Sequence, residues 1–144
     1  MISIIIGSHG KLSEELLNTV EMICGKQSNV DTVSLMPGEG IDDILEKYQA
    51  AMKNLDISKG LIFLVDVFAG SPFNAATKIV YKEGNMDIVT GVNIPMLLET
   101  IMVRDNMELN ELVESLKNSG SQGISSFKEN FIQEISSNEN EEEL

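Results

Sequence analysis

The sequence predicts an α/β fold, in which a doubly wound, mainly parallel four-stranded sheet carries helices on both faces. Four short segments are rich in apolar residues, and two of them, Ile2–Ile6 and Leu61–Val65, have the near-continuous hydrophobicity of parallel strands that are buried on both faces. Apolar residues at helical spacing fill the segments between these runs, which favours parallel pairing through right-handed crossovers. The length of 144 residues and the hydrophobic content of 42% suit one core of ordinary domain size.

The first half of the chain predicts two strand–helix units. Ile2–Ile6 is apolar except for Ser3. Val30–Met36, with Val30, Val33, Leu35 and Met36 as its apolar residues, predicts a second strand that ends at a Pro-Gly pair. Gly25 follows the first predicted helix, as a C-terminal capping glycine does. The apolar positions that indicate the two helices are Leu12, Leu16, Val20 and Ile23, then Ile41, Ile44, Leu45, Tyr48 and Met52.

The second half repeats the pattern with Leu61–Val65 and Met86–Val89 as strands. Ser71 followed by Pro72 predicts a helix start, with the serine as N-cap and the proline at the first helical position. The apolar positions of the three helices in this half are Ala75, Ala76, Ile79 and Val80, then Leu97, Leu98, Ile101 and Met102, then Leu109, Leu112, Val113 and Leu116. We expect the last of these helices to end before Gly120.

The C-terminal part of the chain changes in composition. Residues 120–127 are compatible with a short edge strand, and the three apolar residues Phe127, Phe131 and Ile135 are compatible with either a final helix or an anchored linker. Ser136–Leu144 is acidic and polar without an apolar face, which predicts disorder. We therefore divide the chain into a folded domain, residues 1–130, and an acidic tail, residues 131–144.

Charge and cysteine content limit the function classes. Ten Lys and Arg against 23 Asp and Glu give a net charge of −13, which argues against nucleic acid as a partner. The single cysteine, Cys24, excludes an internal disulfide and fits a reducing compartment. No apolar stretch approaches the ~20 residues that a bilayer requires, and no basic leader precedes Ile2. We expect a cytoplasmic protein that does not insert into a membrane.

The only histidine, His9, follows the first strand between glycines, in Gly7-Ser8-His9-Gly10. Asp66 directly follows the third strand. Because the first and third strands of small doubly wound sheets are neighbours at or near the switch point, their carboxyl ends bring His9 and Asp66 together. A carboxylate that accepts a hydrogen bond from one ring nitrogen leaves the other as a nucleophile. The alternatives are a histidine bonded to a carbonyl, and an aspartate that caps a loop.

The helix that begins near Ser71 offers a second functional element. Backbone amides at a helix N-terminus form a ready anion site, here those of residues 71–74. Gly70 permits close approach of a ligand to this helix start. A plain N-cap serine is the alternative, and the two interpretations are compatible.

Several other chemistries lack their residues. No serine lies in a Gly-x-Ser-x-Gly elbow, and no Gly-x4-Gly-Lys-Ser/Thr phosphate loop is present. Gly38-Glu39-Gly40 lacks the third glycine of a dinucleotide-binding loop. One cysteine and one histidine do not make a zinc pattern. We expect neither a cofactor nor a metal.

Four motifs in unbroken order resemble the IIA domain of the mannose-family sugar phosphotransferase system. They are Gly7-Ser8-His9-Gly10, Phe63-Leu64-Val65-Asp66, Gly70-Ser71-Pro72-Phe73-Asn74 and Gly91-Val92-Asn93-Ile94-Pro95-Met96. The resemblance extends over residues 1–127. One departure is Ala69, where many relatives have a second glycine.

The resemblance implies a cytoplasmic phosphocarrier, a phosphotransferase that works through a covalent phosphohistidine. Phosphorylated HPr would donate to Nε2 of His9, and a histidine of a IIB component would receive the group for sugar uptake. Asp66 would bond to Nδ1, and Ser8, Gly70 and Ser71 would form the phosphate-binding group. The family is dimeric and exchanges a fifth strand, here expected near Gly123–Phe127, between subunits. The sugar is not implied.

Two other functions remain compatible with the sequence. The phosphoryl-donor subunit of dihydroxyacetone kinase resembles the same fold and histidine, and it would pass phosphate to a nucleotide on the kinase. A non-catalytic signalling module would instead use Asp66 as a receiver-type phosphoacceptor. Receivers gather several acidic residues around a metal at the strand ends, whereas the first strand here ends in Gly-Ser-His-Gly.

Overall fold

The computed structural model describes residues 1–143 and contains strands and helices in the predicted order. The elements are β1 Ser3–His9, α1 Leu12–Cys24, β2 Val30–Leu35, α2 Ile41–Lys53, β3 Leu61–Val65, α3 Ser71–Val80, β4 Met86–Thr90, α4 Ile94–Val103, α5 Leu109–Gln122 and α6 Phe127–Glu143. Within the described residues, each helix is too short or too polar to cross a bilayer.

The four strands form one parallel sheet in the order β2-β1-β3-β4. The two central strands, β1 and β3, are the most buried, because each has neighbours on both sides and helices on both faces. Chain order reverses between β1 and β3, since the chain moves outward from β1 to β2 and then returns to place β3 on the other side. The predicted α/β class and parallel four-stranded sheet are confirmed.

Alternating side chains of the strands enter two separate cores, one on each face of the sheet. Ile4, Ile6 and Leu64 pack on one face with α1, α4 and α5, whereas Ile5 and Phe63 pack on the other with α2 and α3. Each of these five strand side chains is fully buried. Helices therefore cover both faces, as the sequence predicts.

Arg104 connects several segments at the amino end of the sheet. Its side chain is only 3% exposed, and its guanidinium donates to the carbonyls of Ile2, Ser28 and Asn29 and to the side-chain oxygen of Gln27, at 2.7–3.4 Å. Burial lowers the pKa of this guanidinium from its ordinary value. The residue that follows α4 thus fixes the starts of β1 and β2.

Helix α5 continues beyond the predicted end before Gly120. This glycine lies inside the helix, where a Cβ would approach Met96 Cε to 2.9 Å, and its carbonyl accepts from the Asn93 amide at 3.0 Å. Gly123 meets Pro95 in the same way, with a Cβ placed 2.5 Å from Cγ. Both glycines permit close packing against the start of α4, and the helix ends at the second of them, Gly123, which is its C-cap.

The expected fifth strand near Gly123–Phe127 is not present in the described chain. Residues 123–126 link α5 to α6, and α6 occupies residues 127–143, where disorder was expected from Ser136 onward. The rings of Phe127 and Phe131 stack at 5.8 Å, and residues 121–139 are exposed. Of the two alternatives for Phe127, Phe131 and Ile135, the final helix is confirmed. Leu144 lies outside the described residues. The division into a domain and a tail at residue 130 stays a prediction.

Candidate active site

The carboxyl ends of β1 and β3 lie side by side where the strand order reverses. The two strands pair as far as Gly7 and Val65, and the Asp66 N–H extends the ladder to the Gly7 carbonyl at 3.3 Å. Open α/β sheets bind ligands in the crevice at this position. The predicted adjacency of the first and third strands is confirmed, and it places His9 beside Asp66.

One carboxylate oxygen of Asp66 binds two groups of His9. Oδ2 lies 2.8 Å from ring Nδ1 and accepts from the His9 backbone N–H at 2.9 Å. The other oxygen, Oδ1, accepts from the Val67 N–H at 3.0 Å. The Asp66 side chain is 12% exposed, whereas the His9 side chain is 49% exposed. The carboxylate is therefore fixed from three directions while the ring stays accessible.

This contact determines which ring nitrogen is free. An ionised carboxylate only accepts hydrogen bonds, so a bond to Nδ1 requires the proton on Nδ1. In the neutral ring, Nε2 of His9 then carries the lone pair. The arrangement suits nucleophilic attack by Nε2, with Asp66 stabilising the positive charge that the ring acquires as a bond forms.

Gly70 lies against the His9 ring. A Cβ on this glycine would be 2.8 Å from His9 Cε1, 3.0 Å from Val67 Cγ2 and 3.5 Å from His9 Nε2. The sequence predicted Gly70 as a point of close approach for a ligand, and in the structure the group that approaches it is the imidazole. The contact brings Nε2 to the start of α3.

The first turn of α3 differs in detail from the prediction. Gly70 is the N-cap and Ser71 the first helical residue, so the proline occupies the second position. Pro72 has no N–H, and the Asn74 N–H already donates to the Gly70 carbonyl at 2.8 Å. The predicted set of amides 71–74 therefore narrows to those of Ser71 and Phe73, which helix geometry leaves without intrahelical acceptors.

The loop between β3 and α3 is strained at one residue. Ala69 has φ +64°, in the left-handed region that favours glycine. The Asn74 side chain donates to the Ala69 carbonyl at 3.1 Å, and the rings of Phe68 and Phe73 lie 4.9 Å apart. Contacts from α3 thus hold this loop in place beside His9.

The hydroxyl of Ser8, which was predicted as a phosphate-binding residue, already has partners within the protein. Its side chain is fully buried, and Oγ accepts from the Ser13 N–H at 2.7 Å and donates to the Gly10 carbonyl at 3.1 Å. Successive strand residues point to opposite faces, so Ser8 points away from His9. The Ser8 hydroxyl thus hydrogen-bonds within the start of α1, and a role of Ser8 in binding phosphate stays a prediction.

Sequence reasoning assigned Tyr48 only to the apolar stripe of α2. Its ring is fully buried, yet its hydroxyl donates to the Pro72 carbonyl at 2.8 Å, directly below the start of α3. A Cβ on Gly7 would overlap that hydroxyl. The sequence signal that could have revealed this bond was a tyrosine in an aliphatic core, because a buried phenol requires a hydrogen-bond partner.

Among the residues described, no cluster of three or more His, Cys, Asp or Glu side chains is placed to hold a metal.

Comparisons with known proteins show which family this chain is similar to. The family described as "PTS system fructose IIA component", a part of the phosphotransferase system, matches residues 3–117. The mannose-specific EIIAB component of Escherichia coli K12 is 45% identical over 128 residues, which are 88% of this chain and 40% of that protein. The fructose-specific EIIA component of Bacillus subtilis is 39% identical over 117 residues, covering 81% of this chain and 80% of that one.

A solved structure gives the same result for the fold. EIIA of the phosphotransferase system from Streptococcus agalactiae superposes with a TM-score of 0.81 at 27% identity, and the match covers 89% of this chain and 98% of that chain. The chain spans only 40% of the Escherichia coli EIIAB protein, so the family assignment concerns the IIA part. With the family match over residues 3–117, this chain belongs to the family of IIA components of the sugar phosphotransferase system.

Proposed function

We propose that this protein is a phosphocarrier that accepts a phosphoryl group on Nε2 of His9 from phosphorylated HPr and passes it to a histidine of a IIB component. The observation that carries the proposal is the 2.8 Å contact between Nδ1 and Asp66, which leaves Nε2 as the free nitrogen of a half-exposed ring. We place the carrier in the cytoplasm, as a homodimer.

Each transfer exchanges one phosphorus–nitrogen bond for another. The Nε2 lone pair of His9 attacks phosphorus, a new N–P bond forms, and the bond to the donor imidazole breaks with its electron pair returning to the donor. Asp66 keeps the proton on Nδ1 and balances the positive charge of the ring. In the second transfer the phosphoryl group leaves Nε2 for the IIB imidazole by the same steps.

The start of α3 supports the phosphoryl oxygens in this proposal. Nε2 faces Gly70, and the N–H groups of Ser71 and Phe73 lie at the positive end of the helix dipole. The Ser71 hydroxyl is a further donor. Ser8 is left out of the phosphate site because its hydroxyl is already bonded.

The direct test is incubation of the purified protein with phosphoenolpyruvate, enzyme I and HPr, followed by intact mass measurement. The wild type should gain one acid-labile phosphoryl group, and His9→Ala should gain none. His9 is the only histidine in the chain, so any acid-labile phosphate on His9→Ala would refute the assignment. Cys24→Ser is the control, since it removes an exposed nucleophile and should leave the uptake unchanged.

The acceptor is tested with the phosphorylated protein. Transfer to a mannose-family IIB component is expected, in line with the sugar-specific names of the relatives in Escherichia coli and Bacillus subtilis. Transfer only to nucleotide on dihydroxyacetone kinase would contradict the proposed acceptor while leaving the phosphohistidine intact. Sedimentation of the same sample tests the homodimer, and a monomer at working concentration would contradict it.

A further inference from the structure

Tyr48 of α2 contacts both β1 and the start of α3. Its ring is fully buried and meets Phe63 edge-on, with the ring centroids 4.9 Å apart. Its hydroxyl lies against Gly7 of β1, two residues before His9, and donates to Pro72 of α3. One side chain thus contacts both segments between which the phosphoryl group would lie.

The acceptor of this hydrogen bond belongs to a peptide group that also faces the site. The Pro72 carbonyl and the Phe73 N–H are the two ends of one planar unit, so fixing the carbonyl fixes the N–H. A donor on the carbonyl also polarises the unit, which strengthens the N–H as a donor. The Phe73 N–H is one of the two first-turn amides that Pro72 and Asn74 leave for a ligand.

We propose that Tyr48 is a positioning residue for phosphoryl transfer, which acts through the Pro72–Phe73 peptide group by holding and polarising the Phe73 N–H toward the phosphoryl oxygens. The inference rests on the proposed function of His9. It assigns to a residue of the α2 core an effect on the site that requires no contact with the phosphoryl group.

The Tyr48 hydroxyl suits this role because it stays a donor. Burial, with a smaller contribution from the negative charge of Asp66, raises the pKa of this phenol above its ordinary value. The Asp66 carboxylate is itself held by His9 and Val67, so it does not compete for the phenol proton. The bond to Pro72 therefore persists through the working pH range.

Tyr48→Phe tests the proposal, because it keeps the ring against Phe63 and removes only the donor. Phosphoryl uptake from HPr should slow about tenfold, the value of one ordinary hydrogen bond. The spectroscopic readout is the Phe73 amide proton, which should move downfield when wild-type His9 is phosphorylated. That movement should shrink in Tyr48→Phe, whereas the movement of the Ser71 amide should be retained.

Thr100→Val is the matched control. Thr100 is also fully buried, and its hydroxyl also donates at 2.8 Å to a helix carbonyl, that of Met96, on the opposite face of the sheet. The loss of a buried hydroxyl should lower the thermal midpoint in both variants. Only Tyr48→Phe should change the transfer rate and the Phe73 amide, and equal effects of the two variants on transfer would overturn the proposal.

A substitution at Gly7, which lies against the Tyr48 hydroxyl, tests the position of that hydroxyl independently. In Gly7→Ala the new Cβ overlaps the Tyr48 hydroxyl, whereas Cζ and Cε1 of the ring are 3.1 and 3.2 Å away. Removing the hydroxyl relieves the worst overlap, so Gly7→Ala should slow transfer less in the Tyr48→Phe background than alone. Additive effects of the two substitutions would contradict the proposal.

The outcomes separate this inference from the function on which it rests. If wild-type His9 takes no phosphate, the proposed function fails. If the wild type is phosphorylated while Tyr48→Phe matches it in rate and in the Phe73 amide shift, the positioning role fails. If Tyr48→Phe does not fold, the wild type decides alone: phosphorylation must move both the Phe73 amide and the Tyr48 ring Cζ resonance, and no movement overturns the proposal.

Discussion

The two ends of the sheet hold their cationic or basic groups in opposite ways. At the carboxyl end, the His9 side chain is 49% exposed and one of its ring nitrogens is bound by a single carboxylate. At the amino end, Arg104 is 3% exposed and donates to four neutral oxygens. The first group keeps a free lone pair at the surface, and the second has its donors directed into the fold.

Without reference to a family, this difference in exposure and hydrogen bonding predicts that His9 is a reactive group and Arg104 a structural one. A buried charge is tolerated when its hydrogen-bonding capacity is satisfied, and a satisfied group has little left for chemistry. A nucleophile instead requires one oriented nitrogen and one free one. The comparison predicts that substitutions at the amino end act on stability and that those at the carboxyl end act on transfer.

The largest expected effect is on the stability of Arg104→Met. Methionine keeps much of the stem but leaves the carbonyls of Ile2, Ser28 and Asn29 without this donor, which should cost about 3 kcal/mol of unfolding free energy. Urea titration followed by circular dichroism measures the loss. The folded fraction should take up phosphate at the wild-type rate, because the site lies at the other end of the strands.

Lys82→Met is the control for that prediction. Lys82 is an exposed cation whose Nζ lies 5.3 Å from the Tyr81 ring centroid, and its loss should change stability by less than about 0.5 kcal/mol. If Arg104→Met lost no more unfolding free energy than Lys82→Met, the buried guanidinium would not contribute to stability. If Arg104→Met slowed phosphoryl transfer in the folded fraction, the amino and carboxyl ends of the sheet would be coupled, which contradicts the expected division between stability and transfer.

The next effect concerns transfer in Asp66→Ala. Without the carboxylate, Nδ1 of His9 loses its acceptor and both tautomers become available, so phosphoryl uptake should slow about 100-fold, equivalent to about 2.7 kcal/mol. Timed quenching and intact mass give the rate. The circular dichroism spectrum should not change, because the strands end before this residue.

Asp87→Ala supplies the matched control for Asp66→Ala. Asp87 Oδ1 accepts from the N–H of the following residue, Ile88, at 2.7 Å, as Asp66 Oδ1 does from Val67 at 3.0 Å. The control therefore loses the same local bond without affecting a histidine. Equal transfer rates in Asp66→Ala and the wild type would remove the carboxylate from the mechanism.

Sequence reasoning succeeded where one rule decided the outcome. Apolar runs and their spacing gave the parallel order, and that order alone brings His9 and Asp66 together at the switch point. The same alternation along a strand places the Ser8 side chain on the face opposite to that of His9, where the structure has it bonded to Gly10 and Ser13.

Other features depend on tertiary contacts that no local pattern contains. Gly120 resembles a helix end, but the approach of Met96 and Asn93 makes it a packing position inside α5. Arg104 gives no local sign of burial, since its acceptors come from the distant starts of β1 and β2. The expected strand near Gly123–Phe127 came from resemblance to a dimeric family, and its exchange between subunits stays a prediction.

The smallest expected effect on stability concerns two residues with a left-handed backbone conformation, one at each end of the sheet. Ala69, with φ +64°, has a side chain without hydrogen-bonding groups, whereas Asn29, with φ +56°, accepts from the Asp56 N–H at 2.8 Å and donates to the Asp56 carbonyl at 3.0 Å. Asparagine tolerates this conformation better than alanine does. Ala69→Gly should therefore stabilise the protein by about 0.5 kcal/mol, the relief of strain exceeding the entropy cost of glycine.

Asn29→Gly should act in the opposite direction, losing about 1 kcal/mol with the two side-chain bonds to Asp56. Urea midpoints of both variants measure the contrast on one scale. Ala69→Gly should also loosen the loop against which the His9 ring lies, so a small fall in transfer rate should accompany its gain in stability. If Asn29→Gly stabilised the protein, or Ala69→Gly destabilised it, the strain of a positive φ would not explain the difference between these two residues.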